Sequence, residues 1–447
     1  MNAIDRWHAL LQPDRELTPA FCQSFADAMR AKKLTFGDRI HCPFLRPFFL
    51  TALDERRIRA AAESVAAAGE RVIEAAFETP RLFEALGVTD AEAALIHVDP
   101  GYATASTASR LDAFLLPDTM HFAEYNAESP AGPGYTELLC ELFDSLAAMR
   151  RFKAETPVRF HRPVRTLLDA LLASYREWGG TASPPFIAIV DWREVPTWTE
   201  FEILRDAFER EGVPTIVSDP RALSFDGRTL SAEGRRIDLV YRRILINDIV
   251  ARPRECEALV SAYAARAACV ANTFRCKLPH KKAFFAVLTD SRFSSLFSDA
   301  EREVFRAHVP WTRLVEDSAT DTASGRRNLM EHARQNRERL VLKPNDEYGG
   351  KGVLLGWETT PAGWDDALQA ALSDQPGTWV VQERIPVRRE VFPQFDREGR
   401  VTMREMLVDF APYLFRGRMG GYLTRLSATG LANVTSGGGQ VPAFVVE

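Results

Sequence analysis

The amino-acid sequence predicts a mixed α/β chain, in the α/β (α+β) class, with more than one domain. The chain has 447 residues, which is more than a single hydrophobic core usually accommodates. Residues 54–77 are rich in alanine and carry apolar residues at the spacing of an amphipathic helix. Further along, short apolar runs alternate with helical periodicity, which is typical of a small parallel β-α-β unit.

The composition is that of an ordinary globular protein. Hydrophobic residues make up 46% and charged residues 26%, and the formal net charge is -5. Basic and acidic residues are interspersed, so the basic stripe of a nucleic-acid-binding protein is missing. No stretch approaches ~20 uninterrupted apolar residues, and residues 1–11 do not resemble a signal peptide. We therefore expect a cytoplasmic protein without nucleic-acid or membrane partners, and we leave open whether it forms a homo-oligomer.

The cysteines are predicted to be reduced and buried thiols. No two of them have CxxC spacing, and a chain of this length does not depend on disulfide bonds for its stability. They are Cys22, Cys42, Cys140, Cys256, Cys269 and Cys276.

Helices and strands can be assigned along the chain from periodicity and turn residues. Most of the first 90 residues are predicted to be helical, and a glycine-rich loop is expected at residues 435–440. The other predicted helices are residues 135–152, 200–211 and a helical region at 252–288. The predicted strands are residues 95–98, 111–116, 121–125, 186–190, 215–217, 237–241, 339–343, 353–355, 379–383, 404–410 and 421–426.

The strands at residues 111–116 and 121–125 form a predicted hairpin that carries oxygen ligands. Glu124 and Asn126 are two residues apart and therefore point to one face of their strand, and Asp112 can face them across the ladder. Two carboxylates and an amide carbonyl suit Mg²⁺. Arg110 lies on the same face as Asp112 and could contact a phosphate. The alternative is a solvent-facing strand edge with ordinary charges.

A glycine-rich turn follows the predicted strand that ends at Lys343. Residues 349–352 are Gly-Gly-Lys-Gly, and glycines allow backbone amides to approach phosphate oxygens closely. Lys343 and Lys351 can neutralise phosphate charge. The turn is not a Walker A loop, because a strand follows it and residue 352 is Gly. The alternative to nucleotide binding is a plain hairpin with a solvated lysine.

The strand at residues 379–383 ends in polar side chains. Gln382 and Glu383 can present polar groups to adenine and to ribose hydroxyls, and Glu390 is a second ribose candidate. Each acid taken separately could equally be an exposed charge at a strand end.

Together these motifs resemble the ATP-grasp superfamily in its circularly permuted branch, and within it the glutathionylspermidine synthase-like proteins. The R-x-D motif at Arg110 and the E-x-N motif at Glu124 precede the half that contains Lys343 and the glycine turn. The resemblance implies that Asp112, Glu124 and Asn126 bind Mg²⁺ and that Arg110 binds the transferring phosphate. It also implies an ATP-binding set of Lys282, Lys343, Gly349, Gly350, Lys351, Gly352, Gln382, Glu383 and, for ribose, Glu390.

Two parts of this resemblance leave alternatives open. Lys282 is favoured as the lysine that reaches the phosphates from the segment after His280, but Lys281 is also considered. Arg425 and the glycine-rich residues 433–439 are similar to the C-terminal part of the family, where Arg425 would face a phosphate or the substrate carboxylate.

The resemblance implies a circularly permuted ATP-grasp fold with an N-terminal helical region and an inserted small parallel α/β substrate domain. The expected divisions are residues 1–150 with the metal-binding hairpin, residues 151–250 as the substrate domain, and residues 251–447 with the lysines and glycine loop. Arg242 and Arg243 could grip an anionic peptide or amino acid in the second division, or form structural ion pairs.

The implied activity is that of a ligase that uses ATP and Mg²⁺ as cofactors. A small-molecule or peptide carboxylate would be activated as an acyl-phosphate and joined to an amine substrate. We expect no amidase domain before the motifs, so the resemblance does not imply glutathionylspermidine as the product. The alternatives are a small-molecule phosphotransferase on the same fold and a catalytically inactive nucleotide-binding partner protein.

Overall fold

The computed structural model describes residues 2–322, 325–428 and 438–447, which form a mixed α/β fold. Residues 435–437 of the predicted glycine-rich loop and residues 433–437 of the C-terminal resemblance lie outside the described residues. Residues 439 and 440, predicted as part of that loop, belong instead to a strand, Gly439–Val441. The α-helices are α1 Ala3–Leu10, α2 Pro19–Ala31, α3 Ala52–Glu78, α4 Pro80–Leu86, α5 Asp90–Ile96, α6 Pro133–Asp144, α7 Ala147–Glu155, α8 Pro163–Glu177, α9 Trp198–Arg210, α10 Ile246–Ala251, α11 Glu257–Ala264, α12 Lys277–His280, α13 Ala283–Thr289, α14 Asp299–His308, α15 Leu329–Gln335 and α16 Pro361–Ser373.

The strands are grouped into several sheets. They are β1 Thr35–Phe36, β2 Arg39–Ile40, β3 Phe48–Thr51, β4 Ala108–Leu115, β5 Met120–Asn126, β6 Val158–Arg159, β7 Ile187–Val190, β8 Thr215–Ser218, β9 Ser224–Phe225, β10 Leu230–Ala232, β11 Arg235–Arg236, β12 Leu239–Arg242, β13 Cys269–Ala271, β14 Thr312–Leu314, β15 Ala319–Thr322, β16 Gly325–Asn328, β17 Leu340–Pro344, β18 Leu354–Leu355, β19 Trp379–Glu383, β20 Arg389–Phe395, β21 Val401–Phe415, β22 Arg418–Ser427, β23 Gly439–Val441 and β24 Ala443–Val446.

The long helix α3 supports the central sheet. It begins with a capping box in which Thr51 and Asp54 satisfy each other's backbone amides. Its buried side chains, among them Ile58, Val65 and Val72, follow the predicted helical spacing, and the helix packs against β21 and β22. The helix thereby covers one part of the sheet that carries the acidic hairpin.

The central sheet is antiparallel and has the strand order β23-β22-β21-β4-β5, with β20 also paired to β21. The predicted hairpin is confirmed as β4 and β5, in which Asp112 lies opposite Glu124 and Arg110 lies opposite Asn126. A second antiparallel sheet has the order β14-β19-β17-β18 and contains the predicted lysine strand.

The predicted parallel unit is confirmed as a sheet with the order β13-β12-β7-β8, in which all neighbouring strands are parallel. Every residue of β7 is buried, as expected for a parallel strand with both faces covered. The sheet includes β13, so the predicted helical region at residues 252–288 is wrong at residues 269–271, although α11, α12 and nearly all of α13 lie within it.

Two further secondary-structure predictions are corrected. Residues 95–98 were expected to form a strand, but α5 reaches Ile96 because Thr89 and Glu92 form a capping box that starts a helix. A short apolar run cannot be distinguished from a helical face by periodicity alone. The predicted helix at residues 135–152 is two helices, α6 and α7, with a break after Asp144.

The cysteines and the helices bear on two other expectations. All six cysteines are buried and free, as predicted, and burial raises the pKa of the Cys276 thiol to about 12. Among the helices of the described residues, none is both long and apolar enough to cross a membrane.

Candidate functional site: two cavities with a common wall

A cavity of about 450 Å³ is lined by the central sheet on one side and by β17, β18 and β19 on the other. We call it the lysine cavity. It brings together eight of the residues singled out in the sequence: Asp112, Glu124, Lys282, Lys343, Gly350, Gln382, Glu383 and Arg425. These residues are far apart in the chain, and their meeting depends on how the two antiparallel sheets are placed.

The acidic hairpin presents its polar side chains on one face. Asp112 accepts hydrogen bonds from Nε of Arg110 at 2.6 Å and from Nη2 of Arg425 at 2.6 Å. Nδ2 of Asn126 donates to Oε1 of Glu124 at 3.3 Å. Burial on its own would raise the pKa of Asp112, but the two guanidinium groups hold it well below its usual range. Asp112 is therefore an ionised carboxylate.

The oxygen atoms of this hairpin fit Mg²⁺ in a particular way. In the described part of the chain, no group of three or more His, Cys, Asp or Glu side chains could hold a metal ion. Asp112 and Glu124 would thus supply two carboxylates, with the Asn126 amide oxygen as the third protein ligand. Mg²⁺ is commonly bound by one or two carboxylates together with substrate phosphates. The residues fit a metal shared with a nucleotide rather than one enclosed by protein.

Lys343 reaches the lysine cavity from β17. Its Nζ donates to Oε1 of Gln382 at 2.6 Å and to the carbonyl of Ala123 at 3.3 Å. Burial lowers its pKa to about 8, with the Glu124 carboxylate opposing the shift and the Lys282 cation adding to it. Within the described residues no carboxylate pairs with Lys343, so its charge is available to a bound anion.

The adjacent lysines 281 and 282 point to different places. Lys282 lines the cavity, where its Nζ is 3.7 Å from Oε2 of Glu124 and donates to the carbonyl of Glu347. Lys281 is buried and pairs with Glu92 at 2.8 Å and with Asp346 at 2.7 Å. The geometry therefore favours Lys282 as the second phosphate lysine.

The glycine turn needs glycine for its backbone conformation. Gly349, Gly350 and Gly352 have φ values of 66°, 77° and 72°, which L side chains rarely adopt. An added Cβ at Gly349 or Gly350 would meet no other atom, so no packing contact accounts for these two glycines. Lys351 is exposed and pairs with Glu347 at 3.1 Å. Neither Lys351 nor Gly352 lines the lysine cavity.

Part of the lining of the lysine cavity is apolar. Its walls include Val341, Val353, Leu355, Trp357 and Ile385. A planar apolar base could pack there, because ligand cavities are typically apolar with a few polar groups.

Gln382 and Glu383, at the end of β19, have different hydrogen-bond and ion-pair partners. The Gln382 side chain accepts from Lys343 and donates to Oγ1 of Thr312 at 3.1 Å, so it holds the lysine in place. Glu383 lies at the cavity edge and pairs with Arg339 at 3.0 Å.

Glu390 does not lie in the lysine cavity, contrary to the expectation that it contacts ribose. It is buried and pairs with the fully buried Arg46 at 2.7 Å and with Arg388 at 2.8 Å. A guanidinium without access to solvent needs a counter-charge, and Glu390 supplies it.

A second cavity of about 540 Å³ shares Asp112, Glu124, Gly350 and Arg425 with the first. We call it the switch-point cavity, because it is lined by residues that directly follow β7 and β12, where the chain connections of the parallel sheet diverge. It is also lined by four further residues singled out in the sequence, Arg110, Asn126, Gly349 and Arg243. Arg242 does not line it: this arginine is fully buried and pairs with Glu128 at 3.1 Å, so it is structural.

Asp409 lines the lysine cavity and is a candidate site residue that was not singled out from the sequence. It lies opposite Arg425 in the β21–β22 ladder and forms an ion pair with it. Burial raises the pKa of Asp409 to about 7, with Arg425 opposing the shift and the nearby Asp112 adding to it. A single acid within the apolar run of residues 407–411 was the signal available in the sequence.

A larger cavity, of about 740 Å³, lies on the other side of residues 383–386. Its lining includes Asp290, Arg306 and Trp311 but neither Lys282, Lys343 nor the hairpin oxygens. We therefore choose the candidate site by its cluster of ionisable groups rather than by cavity volume.

Comparisons with known proteins establish the fold but no family. No protein-family model matches the chain. A segment of 186 residues, 40% of this chain, is 28% identical to a Frankia alni protein with the provisional name glutamate–cysteine ligase 2-3. The match spans only 20% of the length of that protein.

The fold is shared with a solved structure of a glutathione synthetase-like effector from Globodera pallida. The TM-score is 0.61 at 14% identity, with 97% of this chain and 98% of that chain covered. A Methylobacillus flagellatus structure provisionally named gamma-glutamylcysteine synthetase covers 86% of this chain and 85% of its own at 9% identity, with a TM-score of 0.40. That score is too low to indicate a common fold.

Proposed function

We propose that the chain is an ATP- and magnesium-dependent carboxylate–amine ligase of the ATP-grasp kind, which forms an amide bond through an acyl-phosphate. The observation that carries the proposal is the wall common to the two cavities, where Asp112, Glu124, Gly350 and Arg425 face both. One cavity offers lysines and an apolar wall to a nucleotide, and the other offers charged groups to a second molecule. The ligase name of the partial Frankia alni relative is consistent with this class.

The proposed reaction has two steps. A substrate carboxylate oxygen attacks the γ-phosphorus of ATP, and the bond from that phosphorus to ADP breaks. Arg110, Lys343 and Arg425 would stabilise the charge that develops on the phosphoryl oxygens. An amine nitrogen then attacks the acyl carbon, inorganic phosphate leaves, and the nitrogen loses a proton.

Mg²⁺ and the glycine loop complete the proposed site. Bound at Asp112, Glu124 and Asn126, the metal would supply positive charge to the phosphate oxygens. Lys351 and Gly352 would reach the phosphates only if the loop closes, which would also keep water from the acyl-phosphate.

The proposal retains the circularly permuted arrangement and the division at residues 150 and 250. The parallel sheet continues past that second boundary, since β13 belongs to it.

Calorimetric titration with MgADP tests the proposed nucleotide site. We expect Asp112→Asn and Lys343→Met each to weaken binding by about tenfold to a hundredfold, because each removes a charged interaction with the metal or the phosphates. Asp365→Asn is the matched control, since Asp365 forms an exposed ion pair with Arg334 at 3.3 Å. A wild-type protein that binds no nucleotide would contradict the proposal.

A product assay separates the ligase from the two alternatives. Wild-type protein is incubated with MgATP and pairs of carboxylates and amines, and products are identified by mass spectrometry. A ligase yields one amide and one phosphate for each ATP consumed. A phosphorylated single substrate would indicate a phosphotransferase, and nucleotide binding without any turnover would indicate an inactive binding protein.

A further inference from the structure

The small parallel sheet has a topological switch point between β7 and β12. From β7 the chain passes through α9 to β8 on one side, and later returns to β12 and β13 on the other. In open parallel sheets, ligands bind in the crevice outside the carboxyl ends of the strands at such a point, because the two connections diverge there. The topology therefore indicates where this unit would take a ligand.

Two opposite charges lie at this crevice. Asp191 directly follows β7, Arg243 directly follows β12, and both are buried side chains that line the switch-point cavity. The Arg243 amide donates to the carbonyl of Val190 at 2.9 Å, which fixes the two strand ends side by side. No ion pair joins the two side chains in the part of the chain that the structure describes.

Arg243 has one edge of its guanidinium free. Its Nη1 donates to the carbonyls of Ser129 and Pro130, the latter at 2.8 Å. Its Nε is buried and has no hydrogen-bond partner. A buried donor without a partner is costly, so the free edge of Nε and Nη2 points to an absent acceptor. A carboxylate matches that edge with two parallel hydrogen bonds.

The neighbouring Arg242, the last residue of β12, differs from Arg243 because it has an ion-pair partner. It pairs with Glu128 at 3.1 Å and donates to the carbonyls of Asn272 and Ile244 at 3.1 Å and 2.6 Å. Arg243 is buried too, but it forms no ion pair with any described residue; Glu200 and Asp191 act on its charge without contacting it.

Asp191 offers an acceptor on the other side of the crevice. Its Oδ1 accepts from the amide of Trp192 at 2.8 Å, and its other oxygen has no hydrogen-bond partner among the described residues. Burial raises its pKa to about 6, with the Arg243 cation opposing the shift. An ammonium group placed here would favour the ionised carboxylate. Asp248 lines the same cavity and adds to its negative side.

We propose that this crevice binds the α-amino carboxylate head group of the acid substrate, with the carboxylate on Arg243 and the ammonium on Asp191. A phosphate is disfavoured, because Asp191 and Asp248 would repel a second negative charge. The inference rests on the proposed function for one step only, the reaction at the common wall. Since both head-group charges are held at the switch point, the carboxylate that reacts there is a second one on the same molecule. The substrate class is an α-amino acid or short peptide with a second carboxylate.

Calorimetry with L-aspartate and L-glutamate, each with and without MgADP, tests the head-group site. We expect wild-type protein to bind at least one of them, and Arg243→Gln to weaken that binding by about tenfold to a hundredfold. Arg243→Lys should recover part of the loss, because it keeps the charge without the two-pronged geometry. Arg236→Gln is the matched control, since Arg236 is an exposed arginine of the same unit.

Analogues without the ammonium group test Asp191 separately. Asp191→Asn should weaken L-glutamate but leave glutarate unchanged, whereas Arg243→Gln should weaken both. The proposal is overturned if neither amino acid binds wild-type protein, if Arg243→Gln binds as tightly as wild type, or if glutarate binds as tightly as L-glutamate. Absence of MgADP binding with intact amino-acid binding would instead contradict the proposed function alone.

Discussion

Two pairs of lysines lie around the root of the glycine loop, and their surroundings differ. Lys277 and Lys281 are buried among carboxylates: Lys277 lies 3.1 Å from Glu128 and 2.7 Å from Asp346, and Lys281 pairs with Asp346 and Glu92. Lys282 and Lys343 face the lysine cavity, where no carboxylate is closer than the 3.7 Å that separates Lys282 from Glu124 in the described residues. We call Lys277 and Lys281 saturated, because each forms ion pairs with two carboxylates at 3.1 Å or less, and we call Lys282 and Lys343 unsaturated.

The pKa shifts follow from this difference. Burial acts to lower the pKa of both Lys277 and Lys343, but Glu128 and Asp346 hold that of Lys277 above its usual range. Lys343 has no such partner, and its pKa falls to about 8. Removal of a buried cation that is paired with carboxylates destabilises the folded protein, whereas a buried cation without such partners is available to a ligand.

The largest expected effect is on stability when a saturated lysine is removed. We expect Lys277→Met to lower the free energy of unfolding by about 3–5 kcal/mol, because two buried carboxylates would each lose a cationic partner: among the described residues, Glu128 would keep only Arg242, and Asp346 only Lys281. Lys343→Met should change it by less than about 1 kcal/mol, since no carboxylate depends on it. Urea denaturation followed by circular dichroism measures both. Equal losses in the two variants would remove the distinction between the pairs.

The next effect separates two lysines that are neighbours in the sequence. We expect Lys282→Met to weaken MgADP binding by about a hundredfold while the unfolding midpoint stays close to that of wild type. Lys281→Met should do the reverse and lower the midpoint, because it removes the partner of Glu92. Calorimetry and urea denaturation on both variants check this. If Lys281→Met loses the nucleotide and keeps its midpoint, the assignment of the two side chains is inverted.

The sequence predicts local structure better than it predicts which side chains meet. Alternation and turn residues were sufficient for the acidic hairpin, since a two-residue spacing puts Glu124 and Asn126 on one face whatever surrounds them. Lys281 and Lys282 could not be distinguished, because the residues that neutralise Lys281, Glu92 and Asp346, are distant from it in the chain.

Glu390 and Arg243 are two further residues whose contacts could not be predicted from the sequence. The sequence suggests Glu390 as a ribose ligand, but in the structure Glu390 pairs with Arg46, which comes from a distant N-terminal segment. Arg242 and Arg243 were equivalent in the sequence, and the strand end decides which of them faces a cavity. Long-range ion pairs depend on tertiary packing, which periodicity does not contain.

A smaller effect is expected on the motion of the glycine loop. Asp346 holds the root of the loop through Lys277 and Lys281, and Asn247 donates to its carbonyl at 3.3 Å. We expect Asp346→Asn to increase tryptic cleavage after the exposed Lys351 by about tenfold, because local opening becomes less costly. MgADP should suppress the cleavage in wild type. An unchanged cleavage rate would show that the buried ion pairs do not control the loop.

The smallest expected effect is the pH dependence of nucleotide binding, which comes from the unsaturated state of Lys343. Its pKa in the free protein is about 8, and phosphate binding favours the protonated form, so the protein takes up a proton on binding above that pH. The affinity for MgADP should therefore fall by about fourfold between pH 7 and pH 8.5, as the competent fraction decreases. Calorimetry in buffers of different ionisation enthalpy measures the uptake, which should rise toward one proton. Lys343→Arg remains charged throughout this range and should bind with little pH dependence. If Lys343→Arg also loses affinity steeply over this range, the group that titrates is not Lys343. The two lysine pairs would then both stay protonated, and this difference between them would disappear.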